Sequence, residues 1–303
     1  MPLGIVPLLR TVLTTTIEIT GRSAELGGIS IDRFLPKAQL RTVGPWCFVD
    51  RMSNLTKPNL AAMEVAPHPH FGLSTVTFLL NGGVEHSDSM GNHVTIRPGQ
   101  INKMTAGAGV SHSEVSSSGE ALAGLQLWAA LPIQSYLGSP NFEHYPRTGR
   151  FETRDFSVDL ISGEFLGEKF DVGLSHSALG AVVTSKVANF EVPLNPHLQH
   201  IFVPIDGDYV VSDVATPKAV FLTDSGVASF SGAIGSKFLI LGGEPFGEKI
   251  LMWWNFVGRS WDEMVEARRQ WSEQEGRFGE FVSNLDRIPA PAILQRFSPR
   301  SVI

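Results

Sequence analysis

The apolar stretches of this chain are short, rich in β-branched and aromatic residues, and bounded by glycine, proline, aspartate or asparagine. Residues 74–80, for example, end at Asn81-Gly82-Gly83, and residues 201–205 end at Asp206-Gly207. The 303-residue chain has 30 glycines and 19 prolines to supply such turns. Short strands at regular spacing with turn signals between them are typical of sandwiches and barrels. The pattern therefore predicts an all-β protein.

Further segments have the same character and are also predicted as strands. They are residues 93–96, 122–131, 156–161, 181–192, 209–211, 220–222 and 237–241.

One stretch of the C-terminal part predicts a short helix instead. Ser260 and Glu263 have the spacing of a capping box. The apolar residues that follow have helical spacing: Trp261, Met264, Val265 and Trp271. We expect this stripe to pack into a core or between domains.

The length of the chain favours two domains, at roughly 100–200 residues per domain. Residues 136–150 are polar, contain proline and show weak periodicity, so we place the boundary there. The predicted domains are residues 1–145 and residues 146–303.

A weak internal repeat relates the two halves. Pro67-His68-Pro69-His70 is followed by a strand and Gly82, and residues 196–200 (Pro-His-Leu-Gln-His) are followed by a strand and Gly207. Two copies of one β-barrel are the simplest interpretation.

Composition excludes several classes of protein. With 24 Lys and Arg against 30 Asp and Glu, the net charge is −6, which argues against direct nucleic-acid binding. The lone Cys47 excludes an internal disulfide framework and a multi-cysteine zinc site. No apolar run approaches the roughly 18 residues of a membrane span. The N-terminal apolar pieces, residues 3–6 and 8–9, are interrupted, whereas a signal peptide has a continuous apolar region. We therefore expect a cytoplasmic protein.

Four residues form a candidate metal site: His68, His70, His112 and Glu114. Side chains at i and i+2 of a strand point to the same face, so each pair points together. If the two strands are adjacent, facing Cβ atoms lie about 4.5–5.5 Å apart. Imidazole and carboxylate ligands suit Fe(II), Mn(II), Ni(II), Cu(II) or Zn(II), and ligand types alone do not choose among them. Surface or hydrogen-bonded core histidines are the alternative interpretation.

At these residues the sequence resembles the pirin family of the cupin superfamily. Residues 67–77 (Pro-His-Pro-His-Phe-Gly-Leu-Ser-Thr-Val-Thr) are similar to the first signature of that family. The resemblance continues through residues 81–92 and 98–114, where Met-Thr-Ala-Gly precedes His112-Ser113-Glu114. It is dense over residues 40–130 and thinner afterwards, around residues 242–245 and 253–257.

The resemblance implies a bicupin, with two antiparallel jelly-roll barrels face to face and a short C-terminal helical segment. It implies a metal in the N-terminal cupin only, held by His68, His70, His112 and Glu114. The implied metal is iron as Fe(II), with Mn, Ni, Cu and Zn as alternatives. The second half has no equivalent His-x-Glu, so the C-terminal cupin is expected to be metal-free.

Two functions follow from the resemblance. Some members are described as quercetin 2,3-dioxygenases, which implies an oxidoreductase that cleaves a flavonol or similar enolic substrate with O2, with Glu114 as the catalytic base. The alternative is a non-enzymatic, iron-dependent regulatory protein that acts through protein–protein contacts, as a transcription cofactor or a modulator of a metabolic enzyme. Neither implies direct contact with nucleic acid or a membrane.

Some residues depart from the family pattern or have lesser roles. Phe71 and Ser74 stand where many members have Arg and Glu, so we expect a more apolar mouth and an unchanged metal site. His86 and Asp88 share a strand face and are expected to support the site, not to bind the metal. Because His197 and His200 are three residues apart, they would not point together from a strand. Cys47 is expected to be buried and inert.

Overall fold

Antiparallel strands make up just over half of the residues that the structure describes. The computed structural model describes residues 15–52, 61–116, 121–280 and 283–293, so the N-terminal apolar pieces at residues 3–6 and 8–9 lie outside the described residues. The first twelve strands are β1 Thr15–Ile19, β2 Arg22–Leu26, β3 Ile29–Leu35, β4 Trp46–Met52, β5 Glu64–His70, β6 Leu73–Asn81, β7 Val84–Asp88, β8 His93–Ile96, β9 Ile101–Thr105, β10 Val110–Ser116, β11 Ala123–Ala130 and β12 Asn141–Tyr145.

The second half continues in the same way and ends in a helical region. Its elements are β13 Gly149–Glu152, β14 Phe156–Phe165, β15 Glu168–Phe170, β16 Ala178–Ser185, β17 Asn189–Pro193, β18 Gln199–Asp206, β19 Tyr209–Val211, β20 Val214–Ala215, β21 Ala219–Thr223, β22 Val227–Gly232, β23 Lys237–Gly243, β24 Leu251–Trp253, β25 Phe256–Gly258, helix α1 Trp261–Ser272 and a 3-10 turn at Gly276–Phe278.

The strands form two barrels with corresponding strand order. In the first, the sheet β12-β9-β6-β11-β4-β3-β2 packs on the sheet β5-β10-β7-β8. In the second, the sheet β1-β21-β18-β23-β16-β14-β13 packs on β17-β22-β19-β20, and β15 pairs with β14. The all-β fold of two antiparallel barrels is therefore confirmed.

The two large sheets pack against each other through one shared core. Val76 and Leu127 of the first barrel lie in the same buried cluster as Val203 and Leu239 of the second. Trp46 is fully buried there, and its Nε1–H donates to the carbonyl of Leu179 across the interface at 2.9 Å. The apolar face of each large sheet therefore points at the other barrel.

Because side chains alternate along a strand, the opposite face of the first large sheet points into its own barrel. Some of its inward positions are polar, where Asp50, Gln126 and Thr77 lie side by side on β4, β11 and β6, and others, such as Met52 and Leu79, belong to an apolar cluster. The interior of the second barrel is apolar, with Phe190 and Phe230 stacked at 4.4 Å between centroids. The two barrels thus share a strand order and differ in what fills them.

Each end of the chain completes the opposite barrel. β1 pairs with β21 at the edge of the second large sheet. The C-terminal part returns to the first barrel, where the Val257 amide donates to the Phe71 carbonyl at 3.1 Å. The Ile288 amide donates to the Pro67 carbonyl at 2.8 Å. The boundary between residues 145 and 146 stays a prediction, and these contacts cross it.

The predicted helix is confirmed, with Ser260 and Glu263 in a capping box. Met264 and Trp271 are buried as expected, whereas Val265 is 51% exposed, so its assignment to the packed stripe was wrong. Within the described ranges, no helix is both long enough and apolar enough to cross a membrane.

Two details of the sequence pattern need correction. Residues 181–192, predicted as one strand, form parts of β16 and β17 with a break between them. The repeat was right for the strand and the glycine turn, because β6 before Gly82 and β18 before Gly207 are counterparts in the sheets, and wrong for the histidines. By its position in the sheet, β17 is the counterpart of β5, whereas His200 lies on β18, the counterpart of β6. The histidines of the second half are therefore not equivalents of His68 and His70.

The contact across the two barrels predicts a loss of stability on changing Trp46→Phe. The variant leaves the buried Leu179 carbonyl without its donor and opens a small cavity, which should lower the free energy of unfolding by about 1–3 kcal/mol. Denaturant titration measures this. The exposed Val265→Ala should change it by less than about 0.5 kcal/mol. Equal effects of the two variants would contradict the role given to the interface.

Candidate metal centre

Two neighbouring strands carry the predicted site residues. His68 and His70 lie on β5, and His112 and Glu114 lie on β10. The strands pair antiparallel with His112 directly opposite His68, so the adjacency on which the candidate site depends is present. The ring centroids of His112 lie 4.3 Å from His68 and 5.0 Å from His70, and those of His68 and His70 are 5.0 Å apart. The structure thus brings the three imidazoles together inside the first barrel.

The prolines between the histidines suit the position of β5 in its sheet. β5 is an edge strand, so proline, which has no N–H, can stand there without removing a hydrogen bond between strands. The register shifts between His112 and Glu114. Glu114 faces Val65, so two residues of β5 lie opposite one residue of β10. Such a bulge re-aims nearby groups. Here the Ala66 carbonyl lies 2.9 Å from Nδ1 of His68.

Hydrogen bonds fix how two of the rings present their nitrogens. His68 Nδ1 donates to the Ala66 carbonyl, and His70 Nδ1 donates to the Asn255 carbonyl at 3.2 Å. A carbonyl only accepts, so Nδ1 carries the proton and Nε2 keeps its lone pair. Nε2 of His112 is buried without a hydrogen-bond partner. One ring nitrogen from each histidine lies within 4.8 Å of the other two, a grouping that fits a metal ion.

Glu114 lies beside this cluster in a second grouping. Its carboxylate lies within 4.8 Å of ligand atoms of His86 and His112, and its Oε1 lies 3.3 Å from Thr77 Oγ1. The four predicted ligands do not all lie within 4.8 Å of one another, so the histidines converge more closely than the full set. His112 belongs to both groupings.

Burial sets the protonation of these groups. Burial lowers the pKa of His68 to about 4 and the pKa values of His70 and His112 well below their usual value, and the neighbouring imidazoles add to this. The rings are therefore neutral, as a metal ligand must be. Burial raises the pKa of Glu114, while His86 and the Thr77 hydroxyl oppose the shift.

A cavity of about 380 Å³ lies over the cluster and is reached by His68, His70 and Glu114. One wall is aromatic: Phe48 and Trp128 stack with centroids 3.9 Å apart. The residues that complete the lining are Leu26, Arg33, Asp50, Val65, Gln126, Trp254, Asn255 and Ile288.

The polar wall of the cavity is held by hydrogen bonds. Both carboxylate oxygens of Asp50 accept from the Arg33 guanidinium, at 2.8 and 2.7 Å. Gln126 accepts from Thr77 Oγ1 at 2.7 Å, which connects it to the residue beside Glu114. This wall therefore offers fixed polar groups opposite apolar rings.

The roof of the cavity comes from the C-terminal segment. Trp254 and Asn255 form the two-residue turn between β24 and β25, and Trp254 has φ 54°, a left-handed value typical of such hairpins. Sequence reasoning missed this roof because no local pattern links residues 254–288 to β5. It also missed Asp50 and Gln126, although polar residues within apolar strands were a usable signal.

The two departures from the family pattern lie away from the cavity. Phe71 is fully buried, with its ring 4.9 Å from Phe256, and the Arg277 guanidinium lies 4.4 Å over it. Ser74 is paired with the Thr105 hydroxyl at 3.0 Å. Neither residue lines the cavity, so the expectation that they make its mouth more apolar does not follow.

Comparison with known proteins identifies the family to which this chain belongs. The family profile described as Pirin matches residues 28–129, and the profile described as Pirin C-terminal cupin domain matches residues 182–279. The chain belongs to the pirin family. The two barrels of this pirin are therefore its two cupin domains, and the bicupin fold is confirmed.

Relatives of this pirin cover most of its length. A Pseudomonas aeruginosa protein provisionally named quercetin 2,3-dioxygenase is 36% identical over 282 residues, covering 91% of this chain and 88% of that protein. A pirin-like protein from Caulobacter vibrioides is 33% identical and covers 82% and 90%. A crystal structure described as quercetin 2,3-dioxygenase from Acinetobacter baumannii has 37% identity and a TM-score of 0.87, covering 93% and 96%.

A more distant structure shares the fold. It is a bacterial pirin from Escherichia coli in complex with nickel(II), with 16% identity and a TM-score of 0.60, covering 76% of this chain and all of that one.

Neutral buried histidines predict a stability that depends on pH. Because their folded pKa values lie below the usual 6.5, the unfolded chain binds more protons, and stability is lost as pH falls from about 6.5 towards 4. Thermal unfolding of the metal-free protein over this range tests this. His200→Gln removes one buried histidine of pKa about 4 and should reduce the slope by up to about 1.4 kcal/mol per pH unit. An unchanged slope would contradict the assignment.

Proposed function

We propose that this pirin is a metal-dependent dioxygenase that cleaves a flavonol or a similar enolic substrate with O2, as a quercetin 2,3-dioxygenase does. The observation that carries the proposal is the cluster of three neutral, buried histidines that opens, beside a carboxylate, onto an aromatic-walled cavity. The names of the Pseudomonas and Acinetobacter relatives support the same reaction.

We propose that His68, His70 and His112 hold the metal through Nε2 and that Glu114 completes the set. The orphaned Nε2 of His112 supports this choice, because a buried nitrogen without a partner is costly. Iron as Fe(II) is the proposed metal. Because the Escherichia coli relative was crystallised with nickel(II), other divalent ions are the alternatives. When bound, the ion would supply charge that favours the ionised form of an enolic hydroxyl and the redox chemistry that O2 requires.

Glu114 is the proposed base. The single Thr77 hydroxyl proton goes to Gln126 Oε1, the shorter contact at 2.7 Å, so both Glu114 oxygens are available: one for the metal and one to accept the proton of a substrate hydroxyl. Burial raises its pKa, and a raised pKa makes a carboxylate a better proton acceptor near neutral pH. The neighbouring imidazoles keep their Nδ1 protons in hydrogen bonds, so they are not available for this role.

The cavity suits a planar aromatic substrate. A flat ring can pack against the Phe48–Trp128 wall, where stacking is favourable and water is excluded. Asp50 is fixed by Arg33 and offers an acceptor for a further hydroxyl group of the substrate. The volume of about 380 Å³ falls within the range of small-molecule sites.

Oxygen consumption and carbon monoxide release by metal-loaded protein with quercetin and other flavonols test the proposal. Turnover that depends on the metal supports it. Retention of the metal with no oxygen uptake on the whole panel would reject the dioxygenase and favour the regulatory alternative, which pull-downs in both oxidation states would then examine. The cytoplasmic location stays a prediction.

The proposed base predicts a large loss of activity for Glu114→Gln. Gln cannot accept the proton, so kcat should fall by about 10²–10⁴-fold. Metal content measured in the same samples separates loss of the base from loss of a ligand. A kcat within threefold of the unaltered protein would contradict the role of Glu114. Glu143→Gln, a carboxylate on β12 outside the cavity, is the matched control.

The roof predicts a binding defect for Trp254→Ala. Loss of the indole over the cavity should raise KM about tenfold, equivalent to about 1.4 kcal/mol, with a smaller change in kcat. Trp254→Phe keeps an aromatic ring and should lie between. Steady-state kinetics measure both constants, and an unchanged KM for the alanine variant would show that the indole does not contact substrate.

A further inference from the structure

We infer that Asp88 and His86 fix the tautomer of His112, so that His112 presents Nε2 as a lone pair to the metal. His86 is then a positioning residue and not a ligand. The inference rests on the proposed function only in taking His112 as a metal ligand, and it is independent of the dioxygenase reaction.

Asp88 is held as a pure acceptor. Its Oδ1 accepts from the Met90 amide at 2.9 Å and the Asn92 amide at 3.1 Å, and its Oδ2 accepts from the Asn92 side chain at 2.9 Å. Oδ2 also lies 3.1 Å from His86 Nε2. Surrounded by these donors, the carboxylate has no proton to offer, so His86 Nε2 must carry the hydrogen.

The direction of the next hydrogen bond follows. A His112 ring that presents Nε2 as a lone pair has its hydrogen on Nδ1, and the acceptor within reach of that atom is Nδ1 of His86, 3.4 Å away. His112 Nδ1–H therefore donates to it. The opposite direction would place a proton on His112 Nε2, which is buried and has no acceptor. All three histidines thus have the same tautomer.

The fold keeps the His86 ring in place for this contact. His86 faces Glu114 and Asp88 faces His112 in the register of β7 and β10. Phe142, from β12, stacks on the His86 ring with centroids 4.5 Å apart and planes 17° from parallel. His86 is only 3% exposed. A ring clamped between a carboxylate and an aromatic side chain cannot turn without breaking both contacts.

The same geometry argues against His86 as a ligand. One ring nitrogen of His86 lies close enough to His112 and Glu114 to share an ion with them, and Nδ1 is the one that Asp88 leaves without a partner. That atom, however, cannot bind a metal and accept the His112 proton together, and without an acceptor the His112 ring loses its fixed tautomer. Partners that orient metal-binding histidines typically change metal affinity about 10–100-fold when replaced.

Three substitutions test the chain of hydrogen bonds. Asp88→Asn keeps one oxygen for the turn but places an N–H against His86 Nε2. This reverses the direction of two hydrogen bonds, the one between residue 88 and His86 and the one between His86 and His112. His86→Phe removes the acceptor. His86→Gln keeps an amide oxygen for His112 and an N–H for Asp88, so it is the rescuing variant. His93→Gln, on the exposed side of the same hairpin, is the matched control.

Metal affinity is measured by competition with a chelator, using Co(II) as the probe. Asp88→Asn and His86→Phe should weaken binding about 10–100-fold, whereas His86→Gln and His93→Gln should stay within a few-fold. In NMR spectra of the Co(II)-loaded protein, the three ligand Nδ1–H protons should give shifted, exchangeable signals, and Asp88→Asn should lose one. Thermal unfolding of the metal-free variants shows whether each is folded.

Two results would overturn the inference. If His86→Gln lost as much affinity as His86→Phe in folded protein, His86 would be a ligand. If Asp88→Asn kept full affinity and all three signals, the carboxylate would not set the tautomer. Absence of oxygen uptake with this affinity pattern intact would reject the dioxygenase alone.

Discussion

The structure depends on the apolar contact between the two large sheets. That contact buries the outer faces of both sheets, so the first barrel needs an apolar interior in only part of its volume, the cluster that includes Ile31, Met52 and Leu79. Its other inner positions are free to hold Asp50, Gln126, Thr77 and the histidines. The second barrel, whose interior is filled with aromatic residues, contributes to the site by supplying the surface against which the first is packed.

The two barrels have the same strand order but different side chains at their centres. Where β5 and β10 face each other with His68 opposite His112, the corresponding strands β17 and β22 face each other with Phe190 opposite Phe230. Stacked aromatic rings take the central position that imidazoles take in the first barrel. The difference between a polar site and a solid core is therefore made by a few inward-facing side chains.

Much of this could be predicted from the sequence, because strands and turns are local. The bounds of β8 and β19 and the capping box at Ser260 follow from short-range patterns, whereas the pairing of the two histidine-bearing strands was a condition that the sequence did not supply. The roof could not be predicted, since Asn255 contacts His70 across 185 residues of sequence and Ile288 contacts Pro67 across a longer span. In the repeat, the histidine segments were matched although His200 lies on β18, the counterpart of β6 and not of β5. Glu114 was expected to converge with all three histidines, and only the structure shows it in a separate grouping.

The exchange of chain ends between the barrels has a consequence for the order in which the molecule is made. The ribosome releases β5 and β10 early, together with the sheets around them, whereas residues 251–291 leave it late. Until then, His70 has no Asn255 carbonyl to fix its ring, and the cavity has no cover. The site therefore cannot close before these last residues have been made.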